Sequence, residues 1–125
     1  MRPESRSHLA GFSLIEMLVA LAVFSLAVIA LLHLAGQNTR AAAVIEERVL
    51  AGVVADNRAV EAVLARPGEL APEEAGEEQC GDRAWRWTRR VDATDDTGIV
   101  RVRVTVSPVG TGAVSAEASV FRGAP

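Results

Sequence analysis

Lysine is missing from this chain, cysteine and histidine are scarce, and each shortage removes a class of function. All 13 basic residues are arginines, set against 16 acids for a formal net charge of -3. That balance lacks the clustered basic excess that general nucleic-acid binding needs, so no nucleic-acid partner is expected. The one cysteine, Cys80, has no second thiol to pair with, and cysteine usage leaves the redox compartment open. Nothing beside it activates it as a nucleophile. Both histidines, His8 and His33, fall in or before the first apolar segment, which leaves no His-assisted nucleophile and no second ligand for a metal. Glycine-rich phosphate loops and cysteine pairs at metal-ligand spacing are also missing. No catalytic residue, metal or cofactor is therefore assigned, and the chain does not read as an enzyme.

Proline is absent from Phe12 to Arg66, and over the first part of that interval charge is almost absent too. Gly11 to Ala35 reads GFSLIEMLVALAVFSLAVIALLHLA, about 20 apolar residues with one acid, Glu16. That is the length a helix needs to cross a hydrocarbon core of roughly 30 Å. A secretory signal has a shorter apolar region and a small-residue cleavage site behind it, so this run reads as an anchor. Arg2 and Arg6 precede it and favour a cytoplasmic N-terminus, although Arg40 and Arg48 beyond it reduce the asymmetry. An acid within such a segment is costly, about 3 kcal/mol or more when alone, and usually functional.

Pro67-Gly68 ends the proline-free interval and any helix in it. Gly36-Gln37-Asn38-Thr39 is its weakest stretch, and fraying or a bend is expected there. Beyond, Ala42, Ile45, Val49, Val53, Val60 and Val63 or Leu64 recur at helical spacing, with Glu46, Glu47, Arg48, Asp56, Arg58 and Glu61 largely on the other side. The stripe is expected to pack against the protein's own sheet. Val44, Leu50 and Val54 widen the apolar surface, which points to additional packing against other subunits.

Residues 67–82 carry Glu69, Glu73, Glu74, Glu77, Glu78 and Asp82 without a base, and read as a solvated acidic loop. They lack the alternating spacing of a calcium loop, and Asp92, Asp95 and Asp96 form an equally weak set, so no metal is expected. Three strands follow. Trp85, Trp87, Arg89 and Val91 alternate with polar residues, Val100 to Val106 alternate most clearly, and Val114 to Val120 form the third. Both tryptophans share a face, where core packing is the expected role.

Gly11-Phe12-Ser13-Leu14-Ile15-Glu16 resembles the class III signal of type IV pilins and type II secretion pseudopilins. The resemblance implies that a prepilin peptidase cuts the Gly11–Phe12 bond and N-methylates Phe12. Glu16 then becomes the fifth residue of the mature chain and pairs with the N-terminal amine of a neighbouring subunit. Glu46-Glu47-Arg48 and Val54-Ala55-Asp56-Asn57-Arg58 narrow the resemblance to minor pseudopilin I of type II secretion. Of Asp56, Asn57 and Arg58 themselves, a solvated face with local ion pairs is expected.

The implied fold class is α+β and pilin-like: a long N-terminal helix packed on a small three-stranded antiparallel sheet. The implied organisation is a leader at 1–11, a transmembrane helix at 12–35, a periplasmic stalk at 36–66, and an acidic loop plus sheet at 67–125. The implied partners are the J-type and K-type minor pseudopilins, the major pseudopilin, the prepilin peptidase and the bacterial inner membrane, with the C-terminal domain in the periplasm. The implied role is in the filament tip that initiates assembly for export across the outer membrane. A minor type IV pilin for adhesion, motility or DNA uptake is the alternative from the same superfamily. An unrelated single-pass membrane protein is the alternative from outside it.

Overall fold

A computed structural model of the protein describes Gly11 and residues 13–125. The chain divides into two compact units, Met1–Ala41 and Ala42–Pro125. One helix, α1, spans Leu14–Leu64 and contributes to both. Four strands follow: β1 (Glu73–Cys80), β2 (Arg83–Ala93), β3 (Ile99–Pro108) and β4 (Ala116–Gly123). They form one antiparallel meander in the order β1-β2-β3-β4.

In the first unit α1 is apolar on every side. Its best 18-residue window has a mean hydropathy of 2.7, and none of that window is buried. The expected fraying at Gly36–Thr39 is not found, because α1 continues through these residues. Within it Thr39 donates its hydroxyl back to the Ala35 carbonyl, 3.0 Å away.

In the second unit α1 lies on one face of the sheet. Core packing joins Ala51, Val54, Ala55 and Ala59 of the helix to Trp85 and Trp87 of β2 and to Val104 and Val106 of β3. Leu50, Cys80, Ala116, Ala118 and Val120 close its margins. Each buried tryptophan removes roughly 150–250 Å² from water, about 4–6 kcal/mol at 25 cal/mol per Å². Sheet side chains this large leave room only for small residues on the helix, and alanine occupies three of its four core positions.

The helix face is therefore not the expected one. Ile45, Val49, Val53, Val60 and Val63 are between 45% and 60% exposed, whereas Ala51, Val54, Ala55, Ala59 and Ala62 are buried. At about 3.6 residues per turn the centres of the two sets lie roughly 140° apart around α1. Size complementarity with the sheet, rather than hydrophobicity alone, decides which face turns inward.

The strand count is a second correction: there are four strands, not three. Residues 73–80, expected within an acidic loop, form β1 and pair with β2 along their whole length. The intervening turn, Gly81-Asp82, has the two-residue length of a tight hairpin, with Gly81 at φ +66. β1 lacks the branched and aromatic residues that favour strands. Its acids meet the arginines of β2 instead. Glu73 pairs with Arg90 at 3.2 Å, Glu77 with Arg86 at 3.1 Å, and Glu74 with the buried Arg89. Gly76 fits for a steric reason, since a Cβ there would sit 2.8 Å from the Trp87 ring.

Candidate functional site

Glu16 opens α1 with a specific geometry. Its carboxylate accepts the Ser13 backbone N–H at 2.8 Å, and the Ser13 hydroxyl accepts the Glu16 N–H at 3.3 Å. This reciprocal pair is a capping box, with Ser13 as N-cap and Glu16 three residues on. It answers two of the four backbone donors that a helix start leaves open. In hydrocarbon such donors would have no water to bond, and the box satisfies them within the chain. The negative carboxylate also lies at the positive end of the helix dipole. Only Oε2 is engaged by Ser13, which leaves the other carboxylate oxygen for a cation from elsewhere.

Gly11 is exposed and has nothing within 4 Å of the position a Cβ would occupy, as an extended, accessible peptide requires. Phe12, expected as the new N-terminus and methylation site, lies outside the described residues, as does the leader before Gly11.

The stalk motif separates into two sets. Glu47 and Arg58 are three helical turns apart and turn toward the sheet. Glu47 accepts the Ser115 hydroxyl at 2.7 Å and pairs with Arg83 at 3.3 Å. Arg58 donates to Glu78 of β1 through Nε at 3.0 Å and Nη2 at 2.9 Å, and to Glu61 at 3.0 Å. Its guanidinium also stacks on the Trp87 ring, 4.5 Å from the centroid. Planar stacking with several directed donors is what arginine supplies and lysine does not. Arg58 is thus an anchor between helix and sheet, not part of the solvated face expected for it. Arg122 of β4 adds a third tie by donating to the Ala62 carbonyl near the end of α1.

The remaining polar residues of the motif, Glu46, Arg48, Asp56 and Asn57, are exposed. Trp85 and Trp87 take the core positions expected of them, and the Trp85 indole N–H donates to the Cys80 carbonyl at 3.0 Å. On the outer face of the sheet, Thr88, Arg90, Arg103 and Thr105 line a shallow hollow of about 230 Å³. Its arginines are engaged by Glu73, Asp92 and Glu117, so the hollow is a balanced polar surface.

Two family descriptions match the chain. "Prokaryotic N-terminal methylation motif" matches residues 6–32, and "Type II secretion system (T2SS), protein I" matches residues 45–123. Type II secretion system protein I of Pseudomonas aeruginosa is 34% identical over 102 residues, covering 80% of this chain and 79% of the relative. The protein of the same name from Vibrio cholerae is 35% identical over 97 residues, covering 78% and 81%. Among solved structures, one chain of the GspK-GspI-GspJ complex from the type 2 secretion system of enterotoxigenic Escherichia coli superposes with a TM-score of 0.59. That chain is 26% identical, and the match covers 65% of this chain and 98% of that one. Spanning both the signal and the folded unit, these matches show that the chain belongs to the type II secretion system protein I family, the pilin-like minor pseudopilins of type II secretion.

Proposed function

We propose that this minor pseudopilin is made as a precursor, cut between Gly11 and Phe12 by the prepilin peptidase, and N-methylated on Phe12. It is a single-pass protein of the inner membrane. Residues 12–35 form the anchor, 36–66 the stalk, and 67–125 the sheet domain, with the N-terminus cytoplasmic and the sheet domain periplasmic. In the mature chain the free Glu16 oxygen takes the N-terminal ammonium of an adjacent subunit. That contact offsets the cost of a carboxylate in hydrocarbon and fixes the axial register of neighbouring helices. The chain acts at the pseudopilus tip with the J-type and K-type minor pseudopilins, where it initiates growth of the filament that carries proteins across the outer membrane. The K-type subunit generally lacks the acid, so this subunit sits below it.

The observation that carries this reading is the capping box at Ser13 and Glu16. It sits at the start of the apolar, exposed segment of α1, two residues after the glycine of the signal. The family role is structural, and the chemistry of maturation belongs to the peptidase.

Mass spectrometry of the membrane-extracted protein tests the reading. A chain beginning at Phe12 and one methyl group heavier is expected, together with loss of secretion when the gene is deleted. An intact Met1 terminus in a peptidase-competent host contradicts it.

A further inference from the structure

The outward face of the stalk holds an ionisable group, Asp56, that no other described residue answers. Asp56 is exposed and, among the described residues, has no ion-pair partner. Its helical neighbours at three, four and seven residues are Val49, Gly52, Val53, Ala59, Val60 and Val63. A carboxylate at the centre of an aliphatic stripe has no cation within reach on its own helix, since ion pairs along a helix need that same spacing. Arg58, two residues on, is turned to the sheet and held by Glu78, Glu61 and Trp87. Arg48 lies two turns away, off the stripe.

We propose that the stripe Ile45, Val49, Val53, Val60 and Val63 docks the stalk helix of a different pilin-like subunit, and that Asp56 sets the register by meeting an arginine or lysine within that helix's apolar stripe. The stripe supplies the buried apolar area. The lone carboxylate supplies selectivity, because covering it with a purely apolar helix leaves a desolvated charge unpaired. Charge also discriminates against a second copy. Two copies packed stripe to stripe in register bring Asp56 against Asp56, and like charges across an interface are strongly unfavourable. A polar residue in an otherwise apolar helical seam is an established means of fixing register and partner. This inference rests on the reading of the chain as a minor pseudopilin that assembles with others of its class.

The full-length chain carrying a photo-reactive residue at Val53, co-expressed in membranes with the J-type and K-type minor pseudopilins, tests it. Cross-links to one of these two are expected, with mapped peptides placing a basic residue beside Asp56. Asp56→Arg is expected to cut the adduct yield by about tenfold or more, and reversing the partner's mapped base to Glu is expected to restore it. Asp56→Asn, close to isosteric, serves as the milder variant, with a drop of about threefold. Near-UV circular dichroism of the buried Trp85 and Trp87 reports that each variant is folded.

Adducts only between copies of this chain overturn the proposal, as does an unchanged yield in a folded Asp56→Arg variant. Copurification with the J-type or K-type subunit without any adduct from Val53 overturns this inference and leaves the pseudopilin reading standing. Failure of the wild-type chain to copurify with either overturns both.

Discussion

The stalk portion of α1 has two apolar faces, and the fold treats them differently. One presents Ala51, Val54, Ala55, Ala59 and Ala62, all buried against the sheet. The other presents Ile45, Val49, Val53, Val60 and Val63, all substantially exposed although more apolar residue for residue. Burial here follows shape. Trp85 and Trp87 fill the space above β2, and only a thin helix face lets the backbone approach them. The branched face stays exposed, and Asp56, which has no ion-pair partner among the described residues, lies at its centre.

The strongest test of that comparison is to thicken the two faces in turn. Ala55→Leu forces a branched side chain into the filled space against the tryptophans and is expected to destabilise the protein by about 2–3 kcal/mol. Val53→Leu, on the outer face, is expected to stay within about 0.5 kcal/mol. Chemical denaturation of the detergent-solubilised protein, followed by tryptophan fluorescence, measures both. Equal losses for the two variants contradict the assignment of faces.

Removing the principal tie between helix and sheet comes next. Arg58→Ala deletes the stacking on Trp87 and leaves Glu78 partly buried without its partner, for an expected loss of about 1–2 kcal/mol. Arg58→Lys keeps the charge but not the planar stack and is expected to recover less than half of the loss. The same denaturation curves distinguish the two variants.

The smallest effect is expected at the sheet margin. Glu73 and Arg90 are each 58% exposed, so Glu73→Gln is expected to cost less than about 0.5 kcal/mol in denaturation midpoints at physiological salt. A large loss there would mean that β1 depends on individual ion pairs more than on its backbone pairing with β2.

These contrasts show which features were legible in the sequence. The signal hexad, the apolar helix, the valine strand and the buried tryptophans are strong local patterns, and the structure places the helix, strand and tryptophans as expected. β1 was hidden because Glu73-Glu74-Ala75-Gly76-Glu77-Glu78 has neither strand propensity nor an alternating apolar face. Its evidence lay across the hairpin: acids in one arm, arginines in the other, and Gly81-Asp82 between them. The inverted stalk faces were hidden because alanines carry little weight in an apolar pattern, and their value depends on what lies opposite. At the helix start, the Ser-x-x-Glu spelling of a capping box was already present. The cost of a lone acid in hydrocarbon implies a partner outside the chain, whereas the Ser13 partner inside it rests on spacing alone. Ser13 now gives the hydroxylated position of the hexad a physical role, one that the threonine common in this signal fills equally well.

The most direct test of the central claim is the accessibility of adjacent stalk positions. In a Cys80→Ala background, Val53→Cys and Val54→Cys are each exposed to a membrane-impermeant maleimide, with and without the J-type and K-type subunits. Rapid labelling of the cysteine at 53 and slow labelling of the one at 54 are expected in the chain alone. Co-expression is expected to protect position 53 and leave position 54 unchanged. Equal labelling of the two positions in the chain alone, or no protection of position 53 by the partners, would contradict the account.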